Sequence, residues 1–275
     1  MTDPTLVLRS PAVSRRGFLR LAGAAAGLVG PALWRPVSAG PAPMEAPHRP
    51  LLRLPPVTSN GARVPITVEM AHPMEPDHHV TTLTVVNPRD PVPLKGVFHF
   101  SPANGLAYVA FQARLDEGSS TVLASADCGL HGRFTASAPV TIAAGSGGCA
   151  GGPPVAAFLD DEIRPPVIRI PRLVADGQIA PGEIVDVQVK TRHPSRTGLV
   201  VRNSAFVQAA EPFHLRELDV FYDAERVSHF VLSAALSDNP FIAFKLRARH
   251  EATVRVTLTN TRGQRFEATH RLRLG

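Results

Sequence analysis

One thiol stands where the chain has almost no side chains: Gly145-Ser146-Gly147-Gly148-Cys149-Ala150-Gly151-Gly152. A buried structural cysteine needs an apolar, rigid setting, and glycine supplies neither, having no Cβ and the widest backbone freedom. The run predicts a thiol on a flexible arm, with Gly145, Gly147, Gly148, Gly151 and Gly152 giving the reach and Cys149 the reactive atom. Such a sulfur can enter a partner's pocket, react, leave and enter another. Ordering costs about 1–2 kcal/mol per fixed residue, so each docking is expected to be transient. No base or cation stands beside Cys149 in the sequence. A plain thiol near 8.5 is mostly protonated at neutral pH, so the chemistry is expected from partners and the chain is expected to be a carrier, not an enzyme. Two other readings stay open: a Gly-rich linker with an incidental cysteine, and a disulfide with Cys128, the other cysteine of the chain.

Other clusters carry less. His72, Met74, His78 and His79 stand in His-Pro-Met-Glu-Pro-Asp-His-His, and imidazole and thioether ligands suit copper. A strand-to-strand loop gathers polar residues anyway, so the expectation is no metal and no cofactor. Cys128 lies in the turn Asp127-Cys128-Gly129-Leu130-His131 and reads as a small, partly buried residue or a resolving thiol. His131 this close in sequence does not make a protease-like pair. There is no phosphate loop, dinucleotide fingerprint, zinc-ligand spacing or nucleophile elbow.

The elements that must position Cys149 are strands. Residues 64–70, 80–86, 97–100, 108–113, 121–125 and 140–142 alternate, or are rich in Val, Ile, Thr and Phe. The last of them feeds the glycine run. Residues 153–166 read as Pro-stiffened linker. A second set follows at 167–170, 184–190, 215–222, 227–232, 242–247, 253–259 and 266–272, seven strands as in an immunoglobulin-like sandwich. Val254, Val256 and Leu258 face one way, Thr253, Arg255, Thr257 and Thr259 the other, and Asn260-Thr261-Arg262-Gly263 makes a hairpin turn. The expected fold is all-β: two immunoglobulin-like β-sandwich domains, 52–144 and 167–275, joined by a Gly/Pro-rich arm at 145–166.

The first 39 residues read as a twin-arginine signal peptide: Ser14-Arg15-Arg16-Gly17-Phe18-Leu19-Arg20, a short apolar segment, and Val37-Ser38-Ala39 as cleavage site. They hold five arginines and one acid, so cleavage takes the formal net charge from +6 to about +2. The basic balance is then largely a targeting feature, and nucleic-acid binding loses its support. The apolar segment is too short for a membrane span, and no later stretch is suited to one. The expected location of the mature protein is the periplasm.

With the arm, the export signal and two β halves in hand, the chain resembles the SoxYZ sulfur-oxidation carriers, with both subunits fused. Gly147-Gly148-Cys149-Ala150-Gly151-Gly152 resembles the arm that ends SoxY proteins. Asn60-Gly61-Ala62-Arg63-Val64-Pro65, His72-Pro73-Met74-Glu75 and Asn87-Pro88 resemble that family's pattern. His193-Pro194-Ser195-Arg196-Thr197-Gly198 and Ser237-Asp238-Asn239-Pro240-Phe241 are similar to SoxZ proteins. The resemblance implies covalent sulfur cargo on Cys149. It implies three partners: a haem-bearing oxidase, a sulfate thiohydrolase and a sulfane dehydrogenase. Two departures stand out. The arm continues into a second domain, so the thiol is offered as a loop. Ser195 and Arg196 replace a methionine and glutamate typical after His-Pro. Fused relatives are also associated with quinoprotein alcohol dehydrogenases, so the alternative is a noncatalytic accessory or binding module of such a system.

Overall fold

A computed structural model of the chain describes residues 48–150, 163–175 and 177–275. The segment read as an export signal, Gly151, Gly152 and residues 153–162 of the stretch read as linker lie outside the described residues.

The first half forms β1 (Leu51–Arg53), β2 (Val57–Thr58), β3 (Val64–Met70), β4 (Val80–Val86), β5 (Leu94–Phe100), β6 (Ala107–Ala113), β7 (Gly118–Cys128) and β8 (Gly132–Ile142). The second half forms β9 (Arg164–Arg169), a short helix α1 (Pro171–Ala175), β10 (Ile184–Arg192), β11 (Leu199–Arg202), β12 (Ala205–Gln208), β13 (Leu215–Tyr222), β14 (Glu225–Leu232), β15 (Phe241–Arg247), β16 (Ala252–Asn260) and β17 (Arg265–Leu272). Strand alternation sets the faces: Val64, Ile66, Val68 and Met70 of β3 are buried, as are Ala107, Val109, Phe111 and Ala113 of β6. On β16, Val254, Val256 and Leu258 point inward as their spacing predicts. Thr257 is buried as well, against the alternation.

Each half gives strands to two sheets, and neither sheet stops at the boundary between halves. One runs β1-β3-β6-β15-β10-β9, the other β17-β16-β13-β14-β5-β4-β7-β8-β2, with β11-β12 a separate hairpin. The seams are β6 against β15, pairing Phe111 with Ile242, and β5 against β14, pairing Phe98 with Phe230. Behind them sits an aromatic cluster. Phe98 lies 5.1 Å from Phe111 and 5.2 Å from Phe230, and Phe230 lies 5.6 Å from Phe244. Such pairs add about 0.5–1.5 kcal/mol each beyond their buried area. One hydrophobic core therefore spans both halves.

The prolines at 165 and 166 are not linker. They lie in β9, the last strand of its sheet, where a missing N–H costs no ladder bond on the open side.

Candidate functional site

The run leading from β8 to Cys149 is docked in a cleft walled by both halves. The Gly61 N–H donates to the Ser146 carbonyl at 3.0 Å, and the Gly148 N–H to the Leu115 carbonyl at 2.8 Å. Leu115 returns its own N–H to Gly61 at 2.8 Å, closing a small ladder. The Gly145 N–H donates to Glu117 Oε2 at 2.6 Å. From the same wall Arg114 Nη1 donates to the Gly148 carbonyl at 3.1 Å, and from the other wall Thr197 Oγ1 donates to the Cys149 carbonyl at 2.7 Å. Cys149 is 1% exposed.

This corrects the picture of a thiol held out on a loose arm. The glycines serve close approach. A Cβ on Gly148 would lie 2.3 Å from the Gly61 carbonyl oxygen, and one on Gly147 would lie 2.7 Å from Asp116 Oδ1. Gly61, on the opposing wall, would meet the Ser146 oxygen at 2.4 Å. Gly145 alone among these is glycine for its backbone, at φ +73°. The thiol is also not ordinary. Burial pushes Cys149 up to about 12; Lys95 and Arg114 pull the other way, while Asp90 and Asp116 add to the rise. Charges of both signs leave burial in control, and the sulfur is a neutral thiol at pH 7.

Around the thiol stand four residues that no local signal in the sequence marked: Asp90, Lys95, Arg114 and Asp116. Lys95 is fully buried, paired with Asp90 at 2.6 Å, and donates to the carbonyls of Val92 at 2.8 Å and Arg114 at 3.0 Å. Asp90 Oδ1 in turn accepts from the Asp116 N–H at 3.0 Å. The Asn87-Pro88 turn sets this pair: buried Asn87 accepts from the Asp90 N–H at 3.1 Å and donates through Nδ2 to Ser120 at 2.9 Å. Arg114 Nη2 crosses to the second half, reaching Asp238 Oδ2 at 2.7 Å and the Ser195 carbonyl at 3.0 Å. Asp238 Oδ1 accepts from the Ser195 N–H at 2.7 Å and from the Arg196 guanidinium. Asp238 thus ties Arg114 of one half to Ser195 and Arg196 of the other.

The quoted sequence motifs therefore meet in space. Asn60-Gly61-Ala62-Arg63, Asn87-Pro88, Ser195-Arg196-Thr197 and Ser237-Asp238 all touch the arm or the groups that hold it. Ser237 Oγ donates to the Ala62 carbonyl at 2.8 Å. His193, next to this set, is fully enclosed and falls to about 4 through burial.

Cys128 is elsewhere. It ends β7 opposite Gly132, while the arm lies beyond the Gly118 end. Ten residue steps of strand span about 33 Å, and a disulfide needs Cα atoms within about 7 Å. Both cysteines are free and buried. The histidine loop splits up. Met74 joins the core, and His79 Nδ1 donates to the Glu75 carbonyl at 3.0 Å. His72 and His78 come together with His48 and His131.

Two family models match the chain: the sulfur oxidation protein SoxY over residues 38–149, and the sulphur oxidation protein SoxZ over residues 175–271. No curated protein matches. Among solved structures, a superoxide reductase (neelaredoxin) of Ignicoccus hospitalis is 23% identical. It covers 36% of this chain and 82% of its own, with a TM-score of 0.33. A superoxide reductase from Nanoarchaeum equitans is 23% identical, covering 36% of this chain and 96% of its own, at 0.29. The fibronectin(III)-like modules of Clostridium thermocellum CbhA are 9% identical, covering 82% of this chain and 94% of theirs, at 0.24. At these scores the solved structures say nothing about function. The two family matches follow one another along the chain in the order of the two β halves, and the first ends on Cys149 itself. The chain belongs to the SoxYZ sulfur-oxidation carriers, with its SoxY and SoxZ domains fused in one polypeptide.

Proposed function

We propose that this protein is a periplasmic covalent carrier of sulfur intermediates, with Cys149 as the attachment atom and the docked arm as its resting state. The observation that carries this is the position of Cys149. It is the last residue of the SoxY match, on a segment held to the two walls by a handful of hydrogen bonds.

In the proposed cycle the arm leaves its cleft as a loop. A haem-bearing partner takes two electrons as the Cys149 sulfur joins the outer sulfur of thiosulfate, releasing the thiol proton and leaving a Cys–S–S–SO3⁻ conjugate. A thiohydrolase adds water and removes sulfate and a proton, leaving the persulfide. A sulfane dehydrogenase takes six electrons from the outer sulfur while three waters supply its oxygens and seven protons are released, leaving Cys–S–SO3⁻. A second hydrolysis releases sulfate and restores the thiol. This chain's residues do two things. They protect the thiol between visits by keeping it neutral and out of water, and they define where the arm returns. Twin-arginine export fits a protein that folds before it crosses.

The variant Cys149→Ser tests this: loading from thiosulfate with the oxidising partner is expected to vanish while the melting transition stays in place. Loading that survives the change ends the reading. One observation favours the noncatalytic accessory reading, namely that the thiol is buried rather than presented. In that case Cys149→Ser leaves function in the dehydrogenase system intact.

A further inference from the structure

At the Cys128 end of the β7-β8 ribbon, four imidazoles converge from three separate segments. His48 precedes β1, His72 and His78 lie near the two ends of the β3-β4 loop, and His131 sits in the β7-β8 turn. One ligand atom from each lies within 4.8 Å of all the others. The rings form a square. Neighbouring centroids are 4.8 Å apart for His48–His72, 4.5 Å for His72–His78, 4.7 Å for His78–His131 and 4.5 Å for His131–His48. The diagonals are 6.4 Å for His48–His78 and 6.2 Å for His72–His131. Neighbouring rings stand at 81–84° to one another.

Hydrogen bonding among the rings does not account for this. His131 Nδ1 lies 2.9 Å from His48 Nε2, 3.2 Å from His78 Nε2 and 3.8 Å from Cys128 Sγ. A single imidazole nitrogen carries one proton or one lone pair, so at most one of those contacts is a hydrogen bond. His72 is sharper still. Its Nδ1–H donates to the Pro73 carbonyl at 2.7 Å, which fixes the tautomer and leaves the lone pair on Nε2. That Nε2 is buried without a partner, on a residue 6% exposed. A buried acceptor with nothing to accept from costs about 1–3 kcal/mol, and a backbone carbonyl on the far nitrogen is how metal-ligating histidines are commonly held. The buried Nδ1 of His48 is unpartnered as well.

We infer that His48, His72, His78 and His131 bind one divalent first-row transition ion in a square of four nitrogens, with Cys128 as a sulfur ligand. Half of either diagonal is about 3 Å, which accommodates a metal–nitrogen bond of about 2.0–2.1 Å plus the distance from a ring nitrogen to its ring centre. Four imidazoles in one plane suit a tetragonal ion such as nickel(II) or copper(II), or a five-coordinate iron(II) once the thiolate adds, over the tetrahedral preference of zinc. The sequence shows only His72 and His78 of this set as neighbours. Folding adds His48 and His131 and removes Met74 and His79, which is why the loop alone did not read as a metal site.

The test is titration of the reduced, chelator-treated full-length protein with nickel(II), and under nitrogen with iron(II), followed by absorption spectroscopy and metal analysis after gel filtration. One ion per chain is expected, with a sulfur-to-metal charge-transfer band. His72→Ala should weaken binding by about 100-fold or more, the upper end of what loss of an outer-shell partner alone costs. His79→Ala, on the same loop but outside the square, should leave affinity unchanged. Cys128→Ser should retain the ion and lose the band. Should His72→Ala fail to fold, His78→Ala, with its half-buried ring, gives the same reading. Absence of stoichiometric binding of either ion, or equal affinity of His72→Ala and wild type, overturns the site. A charge-transfer band that survives Cys128→Ser overturns the sulfur ligand.

Discussion

At the scale of single residues, the Cys149 thiol is chemically quiet where it rests. Its pKa when docked is about 12, against roughly 8.5 for a thiol in water. The sign follows directly. The docked state holds its proton, so docking is at full strength below the ordinary value. It weakens as pH rises from about 8.5 towards 12, because only the released arm ionises there. Alkylation of native protein through the released arm should therefore keep rising with pH beyond about 9, roughly tenfold per unit, at a rate far below that of a free thiol. A rate that levels off above about 9, as for a thiol in water, would mean that docking does not hold the thiol neutral. Gly148→Ala probes the same contact sterically. The added Cβ meets the Gly61 carbonyl, and overpacking of about 1–3 kcal/mol should raise native-state alkylation by roughly tenfold or more. An unchanged rate would show that the cleft does not hold the arm.

At the scale of elements, the strands are legible in the sequence and the docking of the arm is not. Spans such as Val64–Met70, Val80–Val86 and Leu215–Tyr222 follow from period-2 alternation, because each strand buries one face. The β11-β12 hairpin, largely exposed, carries no such alternation of burial and so no strand signal. The arm misled for a physical reason: glycine marks both freedom and close approach, and only the opposing Gly61 and Leu115 decide between them. Asp90 and Lys95 were invisible for a related reason, since a charged pair five residues apart gives no sign that a turn will bury both. Asp90→Ala leaves Lys95 as an unpaired buried charge. We expect a loss of about 3–5 kcal/mol in denaturant unfolding, read from the midpoint at constant slope. Thr197→Val removes one hydroxyl from the Cys149 carbonyl. At about 1 kcal/mol per hydrogen bond, it should speed arm release roughly fivefold with little change in melting.

At the scale of the whole molecule, the two matched domains share both sheets and one core. Which strand of one half would meet which strand of the other was not legible, because the seam pairs Phe98 with Phe230 and Phe111 with Ile242 across more than a hundred residues. The cleft that holds Cys149 lies along this seam. Asp238 joins Arg114 to Ser195 and Arg196, and Thr197 reaches the arm from the second half. The fused second domain thus completes the resting place of the thiol. Asp238→Ala should loosen the cleft, raising Cys149 alkylation and removing the salt dependence that its ion pairs give, and a variant as slow to alkylate as wild type would contradict this.

The central claim is that Cys149 carries sulfur. The measurement that tests it most directly is the intact mass of protein purified without reductant from cells oxidising thiosulfate, taken before and after reduction, with peptide mapping. The account predicts adducts of added sulfur or thiosulfonate, lost on reduction, confined to Cys149 and absent from Cys149→Ser. Wild-type protein with an unmodified Cys149 throughout active thiosulfate oxidation, or the same adducts on Cys149→Ser, would contradict it.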